Sequence, residues 1–489
     1  MAKVILISPP YLDLYGKLSK AAGRYFPLGL GYIASYLRAY GQHDVQMYEP
    51  EAQNLTYPDL AKIIHEQQPD MVGLTSSTPN FLNALKLAKI IRVNSSAKII
   101  LGGVHASSLP EFVAETYSDL IDVVVVGEGE QTMLELANAQ DKRLGMESIK
   151  GIVYKSGPKT LHNESRPFIC DLDSIPFPAR DLIPQHLFKP NLHNARYRKC
   201  LTILTSRGCP FNCSFCAARI VSGRKYRMHS ADYVLEEMKM LKDQYQAQQL
   251  IITDDTFTMD PGRLEKICRG MIDRKLNLKW FCFSQVNTVN KEILKLMKRA
   301  GCYSIGFGIE SANKETLKQM GKPIDPKIAL AAVKCANALG LKTQAFYILG
   351  APGETREQML NTLKFAKKVN ATLAFFNMLV PFPGTKDFDF FFSGTPLKEI
   401  EWQNFVAVGE KCVLKNSKVE AREIEKMIAR ANTFYYFNLR RLLNLLFQVR
   451  TFYELSNYLK GGAALLWQLF SVLWPNPNCS LPADNEGLF

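Results

Sequence analysis

Short apolar runs alternate with helix-forming segments in two long blocks of this 489-residue chain, and the alternation restricts the fold more than any other feature. Parallel strands need long crossovers, which helices supply, so the pattern predicts α/β layers rather than a helical bundle or a β-sandwich. The first block covers residues 1 to about 140, and the second begins at Leu201. Residues 141–196 between them contain a hairpin signal at Ser156-Gly157-Pro158 and then closely spaced prolines, which predict an extended connector.

The first block predicts a doubly wound parallel sheet of five strands, because its strands are short and apolar throughout. The predicted strands are Val4–Ser8, Val45–Tyr48, Met71–Ser76, Lys98–Leu101 and Ile121–Val126. Sheets of this kind bind ligands beyond the carboxyl ends of their strands. The candidate ligand-binding residues are therefore Ser76, Ser77, Gly102, Gly103, His105, Gly127 and Glu128.

The second block repeats a strand and a helix about six times. Six units are too few to close an eightfold barrel, so the block predicts a partial (β/α)6 barrel. Barrel chemistry lies at the carboxyl ends of the strands. The candidates there are Asp254, Asp255, Glu310, Ser311, Gly350 and Gly353. For Asp254 and Asp255 the alternative is a helix-capping pair before Pro261.

Three closely spaced cysteines, Cys209, Cys213 and Cys216, follow the first strand of this barrel. Thiolates are the usual ligands of iron-sulfur clusters, and three of them leave one iron of a four-iron cube open. The alternatives are a zinc site or three unrelated thiols. Zinc normally takes four ligands, and the next histidine, His229, lies in a basic stretch. The spacing therefore favours a 4Fe-4S cluster.

The string Cys-x-x-x-Cys-x-Phe-Cys resembles the signature of the radical S-adenosylmethionine (SAM) enzymes, with Phe215 in the aromatic position. The resemblance implies that SAM binds the open iron and is cleaved to a 5'-deoxyadenosyl radical. It further implies that Glu310 and Ser311 hold the methionine and ribose parts of SAM. Gly350 and Gly353 would lie beside its adenine.

A doubly wound domain ahead of such a barrel resembles the cobalamin-binding domain of the cobalamin-dependent branch of this family. The strings Pro-Pro, Pro-Leu-Gly, Gly-Gly-x-His and Gly-Glu-Gly-Glu add to the resemblance. The Asp-x-His-x-x-Gly loop of many cobalamin proteins is absent, and the nearest fragment, Asp13 to Gly16, has no histidine. Cobalamin is therefore expected to bind without histidine ligation from that motif. The alternative is a sheet domain without a cofactor.

Composition indicates the cellular compartment and the kinds of partner that are expected for the protein. Eleven cysteines form an odd set, mostly placed singly in apolar segments, which suits a reducing cytosol better than a disulfide framework. The amino terminus begins a strand at once and shows no secretory signal, so a cytoplasmic location is expected. The net charge of +14 is scattered over helix faces, which argues against a nucleic-acid partner.

The last hundred residues change character. Ala421–Arg450 predicts a helix, and Gly461–Trp474 is nearly all apolar but shorter than the roughly 20 residues that span a bilayer. Basic residues flank this segment: Arg440, Arg441, Arg450 and Lys460. One interpretation is a helix in the membrane interface, which would make the protein peripheral to the inner face of the membrane. The alternative is a helix that caps the barrel.

These features predict a cobalamin-binding domain (1–140), a linker with a hairpin (141–196), a radical SAM domain (197–390) and a helical C-terminal region (391–489). The expected activity is methylation of an unactivated carbon of a hydrophobic small molecule, such as a polycyclic isoprenoid lipid of the hopanoid type. A flavodoxin- or ferredoxin-type protein would supply electrons. The alternative is an oxidative cyclase or oxygen-inserting enzyme resembling the anaerobic Mg-protoporphyrin ester cyclase. A third hypothesis is a non-catalytic cofactor carrier.

Overall fold

The computed structural model describes residues 1–20, 22–142, 145–406, 413–414, 418–436, 441 and 445–473. Seven strands form its N-terminal sheet, in the spatial order β2-β1-β3-β4-β5-β6-β7. These strands are β1 (Lys3–Ile7), β2 (Asp44–Tyr48), β3 (Met71–Thr75), β4 (Lys98–Gly102), β5 (Val123–Val125), β6 (Ile152–Ser156) and β7 (Lys159–His162). The first five pair in parallel, as the sequence predicted.

The prediction of a five-stranded, wholly parallel sheet was wrong by two strands. The hairpin of residues 152–162, assigned from sequence to the connector, continues the sheet beyond β5. Val124 pairs with Val153 in antiparallel register. A turn signal predicts a hairpin locally, but it does not say which sheet edge the hairpin joins.

Helices cover both faces of this sheet. They are α1 (Leu28–Gly41), α2 (Pro50–Gln53), α3 (Tyr57–Gln67), α4 (Phe81–Asn94), α5 (Val104–Ser108), α6 (Pro110–Thr116) and α7 (Glu130–Lys142). Alternate residues of β1 face opposite layers: Ile5 packs with α3 and α4, and Leu6 packs with α1 and α7. Thr56 begins α3 with a capping box that includes Asp59. The doubly wound prediction is confirmed.

Six parallel strands form the second sheet, in the order β15-β14-β13-β12-β11-β8. They are β8 (Cys200–Ile203), β11 (Gln249–Ile252), β12 (Lys279–Ser284), β13 (Cys302–Glu310), β14 (Lys342–Leu349) and β15 (Leu373–Met378). A short antiparallel pair, β9 (Ser206–Arg207) and β10 (Arg227–Met228), flanks the cysteine loop. The six parallel strands form the predicted partial barrel.

The helices that accompany the barrel follow its strands in the chain. They are α8 (Ala218–Ser222), α9 (Ala231–Asp243), α10 (Pro261–Asp273), α11 (Lys291–Arg299), α12 (Lys314–Gln319), α13 (Pro326–Ala338), α14 (Arg356–Val369) and α15 (Lys386–Phe392). Outward strand residues such as Trp280, Phe307 and Tyr347 pack with these helices in one large core. The inward residues are left to line the interior of the barrel.

The C-terminal region contains α16 (Ala421–Tyr436) and α17 (Phe452–Leu473). The predicted helix does not reach Arg450, because the chain turns at Gln448 before α17 begins. Part of that prediction, together with Arg440 and Trp474, lies outside the described residues. The start of α17 docks on the connector, where Asn457 donates to the carbonyl of Ala195 (3.0 Å), and on β14, where Glu454 pairs with Lys342. Among the described residues, no helix combines the length and apolar character needed to cross a membrane.

Candidate active site

The cysteine loop begins where the first barrel strand ends, and a buried aspartate fixes its start. Asp254 accepts hydrogen bonds from the backbone N–H of Thr205 (2.6 Å) and from the hydroxyls of Thr205 and Ser206. Asp254 has no exposed surface and shapes the loop, and a contact of Asp254 with a cofactor stays a prediction. The capping alternative for Asp254 and Asp255 is wrong, because Asp260 caps α10.

The three cysteines are free thiols on one loop. Burial raises the pKa of Cys213 to about 11, and burial also raises the pKa values of Cys209 and Cys216. Backbone hydrogen bonds from Phe211 to Cys209 and from Ala218 to Cys216 act in the opposite direction. Such donors stabilise the thiolates that iron needs.

Three free thiols on one loop match the number of ligands of a four-iron cluster that keeps one iron open. A structural zinc ion normally takes four ligands.

A buried ion pair lies beside the cysteine loop. Lys322 Nζ is 3.0 Å from Glu310 Oε1, and both side chains are less than a tenth exposed. Burial alone would lower the pKa of Lys322, but the charge of Glu310 reverses this and the pKa is raised. The positive charge of Lys322 in turn lowers the pKa of Cys213, against the larger effect of burial. Lys322 therefore favours the thiolate form of the loop.

The backbone at Glu310 is unusual. Its φ is +64°, a region that residues other than glycine rarely adopt, and the register between β13 and β14 shifts just before it. Strain of this kind persists only where the surrounding structure holds it, and it is concentrated at functional sites. A direct contact of Glu310 with SAM stays a prediction.

The turn after α12 ties Glu310 and Lys322 to the cysteine loop. The backbone N–H of Ser214 donates to the carbonyl of Met320 (2.9 Å). A Cβ on Gly321 would come within 2.5 Å of the carbonyl oxygen of Asn212, so only glycine permits this approach. The segment that carries Lys322 is thus packed directly against the backbone of the cysteine loop.

Ser311 is fully buried, and its hydroxyl is already used. Its Oγ pairs with the hydroxyl of Thr362 (3.2 Å) and accepts from the backbone N–H of Asn313 (3.2 Å). These bonds fix the turn after Glu310. A direct contact of Ser311 with SAM stays a prediction.

The turn after β14 contains the two predicted adenine-side glycines in different surroundings. A Cβ on Gly350 would lie 2.7 Å from a methyl carbon of Leu414, so this glycine lets the C-terminal region approach. A Cβ on Gly353 would meet nothing within 4 Å, which leaves room for a ligand. Glu354 accepts from the backbone N–H of Gly350 (2.9 Å), and burial raises its pKa to about 7.

The predicted cobalamin residues divide into an accessible rim and a buried layer. The rim at the carboxyl edge of the N-terminal sheet keeps accessible surface at Ser77, Gly102, Gly103 and Gly127. The buried layer contains Ser76, His105 and Glu128. A rim of small residues lets a broad, flat ring approach the backbone, so the accessible set fits a corrin.

His105 is built into the core behind this rim. It has no exposed surface, and its ring lies 4.1 Å from that of Phe81 and 4.9 Å from that of Trp402. Its Nδ1 is 3.3 Å from the hydroxyl of Thr78. Burial lowers the pKa of His105 to about 3, so the imidazole is neutral. The buried Nε2 has no hydrogen-bond partner among the described residues, and a contact of His105 with cobalamin stays a prediction.

Glu128 belongs to an ionic cluster between the two domains. Two arginines that flank the cysteine loop, Arg207 and Arg227, place guanidinium nitrogens 3.1 and 2.9 Å from Glu128 Oε1. Arg207 also lies 2.6 Å from Glu130 Oε1. All four side chains are less than a tenth exposed. We call these four residues the interdomain latch.

The latch brings the two candidate cofactor sites together. Val221 of α8, just beyond the cysteines, places its carbonyl oxygen 3.9 Å from where a Cβ on Gly127 would lie. Near the same point a Cβ on Gly384 would contact both Ile220 (2.8 Å) and Ser108 (3.2 Å). The cysteine loop therefore faces the carboxyl edge of the N-terminal sheet.

Known proteins share both halves of this arrangement. Residues 203–366 match the Radical SAM superfamily, and residues 17–137 match the B12 binding domain. An uncharacterised methyltransferase of Pyrococcus horikoshii is 35% identical over 447 residues, which cover 91% of this chain and 95% of that protein. The chain belongs to the cobalamin-binding radical SAM superfamily.

Other members of the superfamily carry out different reactions. The anaerobic magnesium-protoporphyrin IX monomethyl ester cyclase of Rubrivivax gelatinosus is 28% identical and covers 83% of this chain and 72% of its own length. The hopanoid C-3 methylase of Methylococcus capsulatus is 26% identical and covers 74% and 67%. The radical SAM methyltransferase TsrM of Kitasatospora setae, solved with cobalamin and a [4Fe-4S] cluster, has the same fold. Its TM-score is 0.65 at 20% identity, over 79% of this chain and 77% of TsrM.

As a member of this superfamily the protein is a radical SAM enzyme whose cofactors are a 4Fe-4S cluster, SAM and cobalamin. The predicted fold class and cofactors are thereby confirmed. The latch and Lys322 were missed by sequence reasoning. Arg207 stands only two residues before Cys209, which was a usable signal, whereas nothing in the sequence around Lys322 points to the cysteines.

Proposed function

We propose that this chain is a cobalamin-dependent radical SAM methyltransferase that methylates an unactivated carbon of a hydrophobic small molecule. The observation that carries the proposal is the contact between the cysteine loop and the carboxyl edge of the N-terminal sheet. Hydrogen abstraction and methyl donation must act on the same substrate carbon, so their sites have to face one another. The relatives named as a methyltransferase and as a methylase support this assignment.

In this proposal the bound cofactors supply a radical that removes hydrogen from carbon and a methyl group that replaces it. The protein's own residues hold the reacting groups in place. Lys322 favours the cluster thiolates, and Glu310 offers a carboxylate at the end of β13. The interdomain latch of Glu128, Glu130, Arg207 and Arg227 fixes the position of one site relative to the other.

The C-terminal region supports a hydrophobic substrate that is reached from a membrane surface. Large apolar side chains around the start of α17 are exposed: Leu446, Phe447, Phe452 and Leu459. Arg450 and Lys460 lie beside them in the chain. Exposed apolar residues next to basic ones suit an anionic bilayer interface. We therefore propose a cytoplasmic protein that is peripheral to the membrane.

Point substitutions test this contact better than truncation does. Removing α17 would also remove Glu454, whose carboxylate pairs with Lys342 in the barrel. The double variant Phe447→Ser with Phe452→Ser leaves that pair intact. We expect weaker association with vesicles that contain anionic lipid, and unchanged association would contradict the membrane proposal. The control is Val93→Ser, an exposed apolar residue of α4.

A second candidate function is oxidative cyclisation or oxygen insertion. The similarity to the magnesium-protoporphyrin cyclase of Rubrivivax gelatinosus, over 83% of this chain, favours keeping it. Both reactions begin with hydrogen abstraction and need the same cluster. They differ in whether the product gains a methyl group.

The cluster needs an external electron donor in either reaction. We propose a flavodoxin- or ferredoxin-type protein, because the net charge of +14 attracts acidic partners by long-range electrostatics.

Isotope labelling separates the two candidate functions. Cells with and without the gene are fed methionine with a trideuterated methyl group, and lipid and pigment extracts are compared by mass spectrometry. A gene-dependent product that carries one labelled methyl group is expected. A gene-dependent product without the label would replace methylation by cyclisation or oxidation.

A further inference from the structure

The interior face of the barrel has an aromatic wall and a glycine floor. Phe283 of β12, Phe346 of β14 and Phe375 of β15 point inward, and the rings of Phe346 and Phe375 stack with centroids 5.0 Å apart. Gly306 of β13 lies between Phe283 and Phe346. A Cβ there would come within 3.1–3.3 Å of Phe283, Phe346 and Phe281. The three rings therefore close over Gly306, and any side chain at this position would push them apart.

Inside the barrel, the inward side chains near the amino ends of the strands are buried, whereas those at the level of Phe283 are accessible. Inward residues nearer the amino ends of the strands, Phe281, Ser304 and Gln344, are buried. Phe283, Phe346 and Phe375 keep accessible surface although they point into the barrel. Accessible surface on inward side chains means that they line an internal space. We call this space the aromatic chamber.

One polar side chain reaches the chamber from the connector. His193 lies with its ring 4.7 Å from that of Phe375. The next residue, Asn194, is held at the bottom of the barrel, where its carbonyl oxygen accepts from the hydroxyl of Tyr303 (2.7 Å) and from Gln249. This anchoring fixes the position of His193 at the edge of the aromatic wall.

The imidazole of His193 has free hydrogen-bonding capacity. Burial lowers its pKa to about 4, so it is neutral at physiological pH, with one donor and one acceptor nitrogen. Its side chain keeps accessible surface, and within the described chain it has no hydrogen-bond partner. A neutral, unpaired imidazole beside an aromatic wall is suited to a polar group on an otherwise apolar ligand.

We infer that the aromatic chamber binds a flat or fused apolar ring system that bears one hydroxyl or carbonyl group, and that His193 hydrogen-bonds that group. This inference rests on the proposed function, since it names the class of substrate that the barrel accepts. The rings of Phe346 and Phe375 contact the ring system of the ligand. His193 then fixes which end of the molecule points away from the cluster.

The chamber lies at a suitable depth for this orientation. Gly306 and Glu310 are four residues apart on β13, which corresponds to roughly 13 Å along the strand. A fused ring system of that length would place one end beside Glu310 and the cysteine loop while the other end contacts His193. A smaller ring held at His193 alone would stay away from the radical source.

Binding of two probe compounds tests the inference on the holoenzyme. 2-Naphthol has a fused ring with one hydroxyl group, and naphthalene has the ring alone. We expect wild-type protein to bind 2-naphthol about five- to tenfold more tightly than naphthalene, as one net hydrogen bond provides. His193→Phe should remove this preference and leave naphthalene affinity within about twofold. His186→Phe, an exposed histidine of the connector, is the matched control.

Variants with a larger side chain in the aromatic chamber provide the second part of the test. Gly306→Val should weaken binding of both probes by about tenfold or more, because its side chain would push the rings of Phe283 and Phe346 into the space for the ligand. If that variant does not fold, Ile348→Phe places a larger side chain two residues further along the same inward face of β14. Gly262→Val, at the exposed start of α10, is the control. Probe binding that is unchanged in the filled variants, or a naphthol preference that survives His193→Phe, would overturn the inference.

Failure of the aromatic-chamber inference can be distinguished from failure of the proposed methylation. Reductive cleavage of SAM to 5'-deoxyadenosine is measured in each variant, since the cluster loop does not depend on His193. Normal probe behaviour with no labelled methyl transfer would refute methylation alone. Labelled methyl transfer with unchanged probe binding in the filled variants would refute the chamber alone.

Discussion

The two ends of the barrel both bury charge, but they use it differently. At the amino ends of the strands, Glu454 of α17 pairs with Lys342 and Arg196, and its second oxygen accepts from the backbone N–H of Arg450. At the carboxyl ends, buried oxygens are left without partners. These are Oε1 of Gln285, Oε1 of Glu354 and Oδ2 of Asp387.

The difference separates structural from functional charge. A buried polar atom without a partner costs free energy, so protein interiors rarely keep one unless a ligand or water completes it. At the amino ends Gln344 Oε1 also lacks a partner, but both oxygens of Glu454 are paired, and this ion pair holds the C-terminal region on the barrel. The carboxyl ends, where carboxylate oxygens of Glu354 and Asp387 lack partners, contain the cysteines and face the N-terminal sheet. Substitutions at the two ends should therefore damage different properties.

The largest effect is expected at the cysteine loop. Cys213→Ala should abolish reductive SAM cleavage, because two thiolates do not hold a four-iron cluster for the open iron to be used. The melting temperature of the apoprotein should change little. The measurements are 5'-deoxyadenosine formation and circular dichroism. Cys170→Ala, an exposed free cysteine, is the control, and full SAM cleavage by Cys213→Ala would contradict the cluster assignment.

A substitution in the interdomain latch should lower the share of SAM cleavage events that lead to methylated product. It should change the rate of SAM cleavage itself less. In Arg207→Gln the bonds to Glu128 and Glu130 are lost, so the two cofactor sites are no longer held in register. We expect the ratio of 5'-deoxyadenosine to methylated product to rise by about tenfold, as misplaced reacting groups lose productive turnovers. Arg207→Lys should restore only part of the coupling, because lysine lacks the two-pronged geometry.

The control for the latch is an exposed ion pair. Asp181→Asn breaks the pair with Arg38, in which both side chains are about half exposed, and should leave the ratio unchanged. A wild-type ratio in Arg207→Gln would mean that the latch has no positioning role.

At the amino ends of the barrel strands, a substitution should lower the free energy of unfolding. Glu454→Gln leaves Lys342 and Arg196 buried without a carboxylate, which costs about 3–5 kcal/mol of unfolding free energy. Burial already lowers the pKa of Lys342 to about 8. A neutral lysine costs less to bury, so the loss should be smaller at pH 9 than at pH 7.

Denaturant unfolding at both pH values measures this difference. SAM cleavage by the folded fraction should stay near that of the wild-type protein. A normal unfolding free energy for Glu454→Gln, or selective loss of cleavage, would remove the distinction between the two ends.

The sequence predicted the parts of this molecule that depend on local pattern. Strand and helix periodicity predicted the five parallel strands of the first sheet and the six of the second, and the spacing of Cys209, Cys213 and Cys216 predicted the 4Fe-4S cofactor. Contacts between distant segments were not predictable. Glu128 was assigned to a ligand loop, yet it pairs with Arg227, 99 residues away. The aromatic chamber also depends on register, since it is the alignment of β12 to β15 that brings Phe283, Phe346 and Phe375 to one face.

The smallest effect concerns the buried layer behind the rim. The pKa of His105 is about 3 in the folded protein, against an ordinary value of 6.5. Between these values the unfolded chain binds a proton that the folded chain excludes, so stability falls as the pH drops from 6.5 toward 3. One such proton contributes about 1.4 kcal/mol per pH unit in that window.

In His105→Leu the unfolded chain no longer binds this proton, so its contribution to the pH dependence of the unfolding free energy disappears. The variant should lose stability less steeply than the wild-type protein between pH 6.5 and 4.5, whatever its stability at pH 7. His193 and His229 also have pKa values lowered by burial, to about 4 and about 3, so a slope remains and only the part due to His105 disappears. His65→Leu, an exposed histidine of α3, should keep the wild-type slope. Identical slopes for His105→Leu and wild type would show that His105 is accessible to protons, and therefore belongs to the rim and not to the layer behind it.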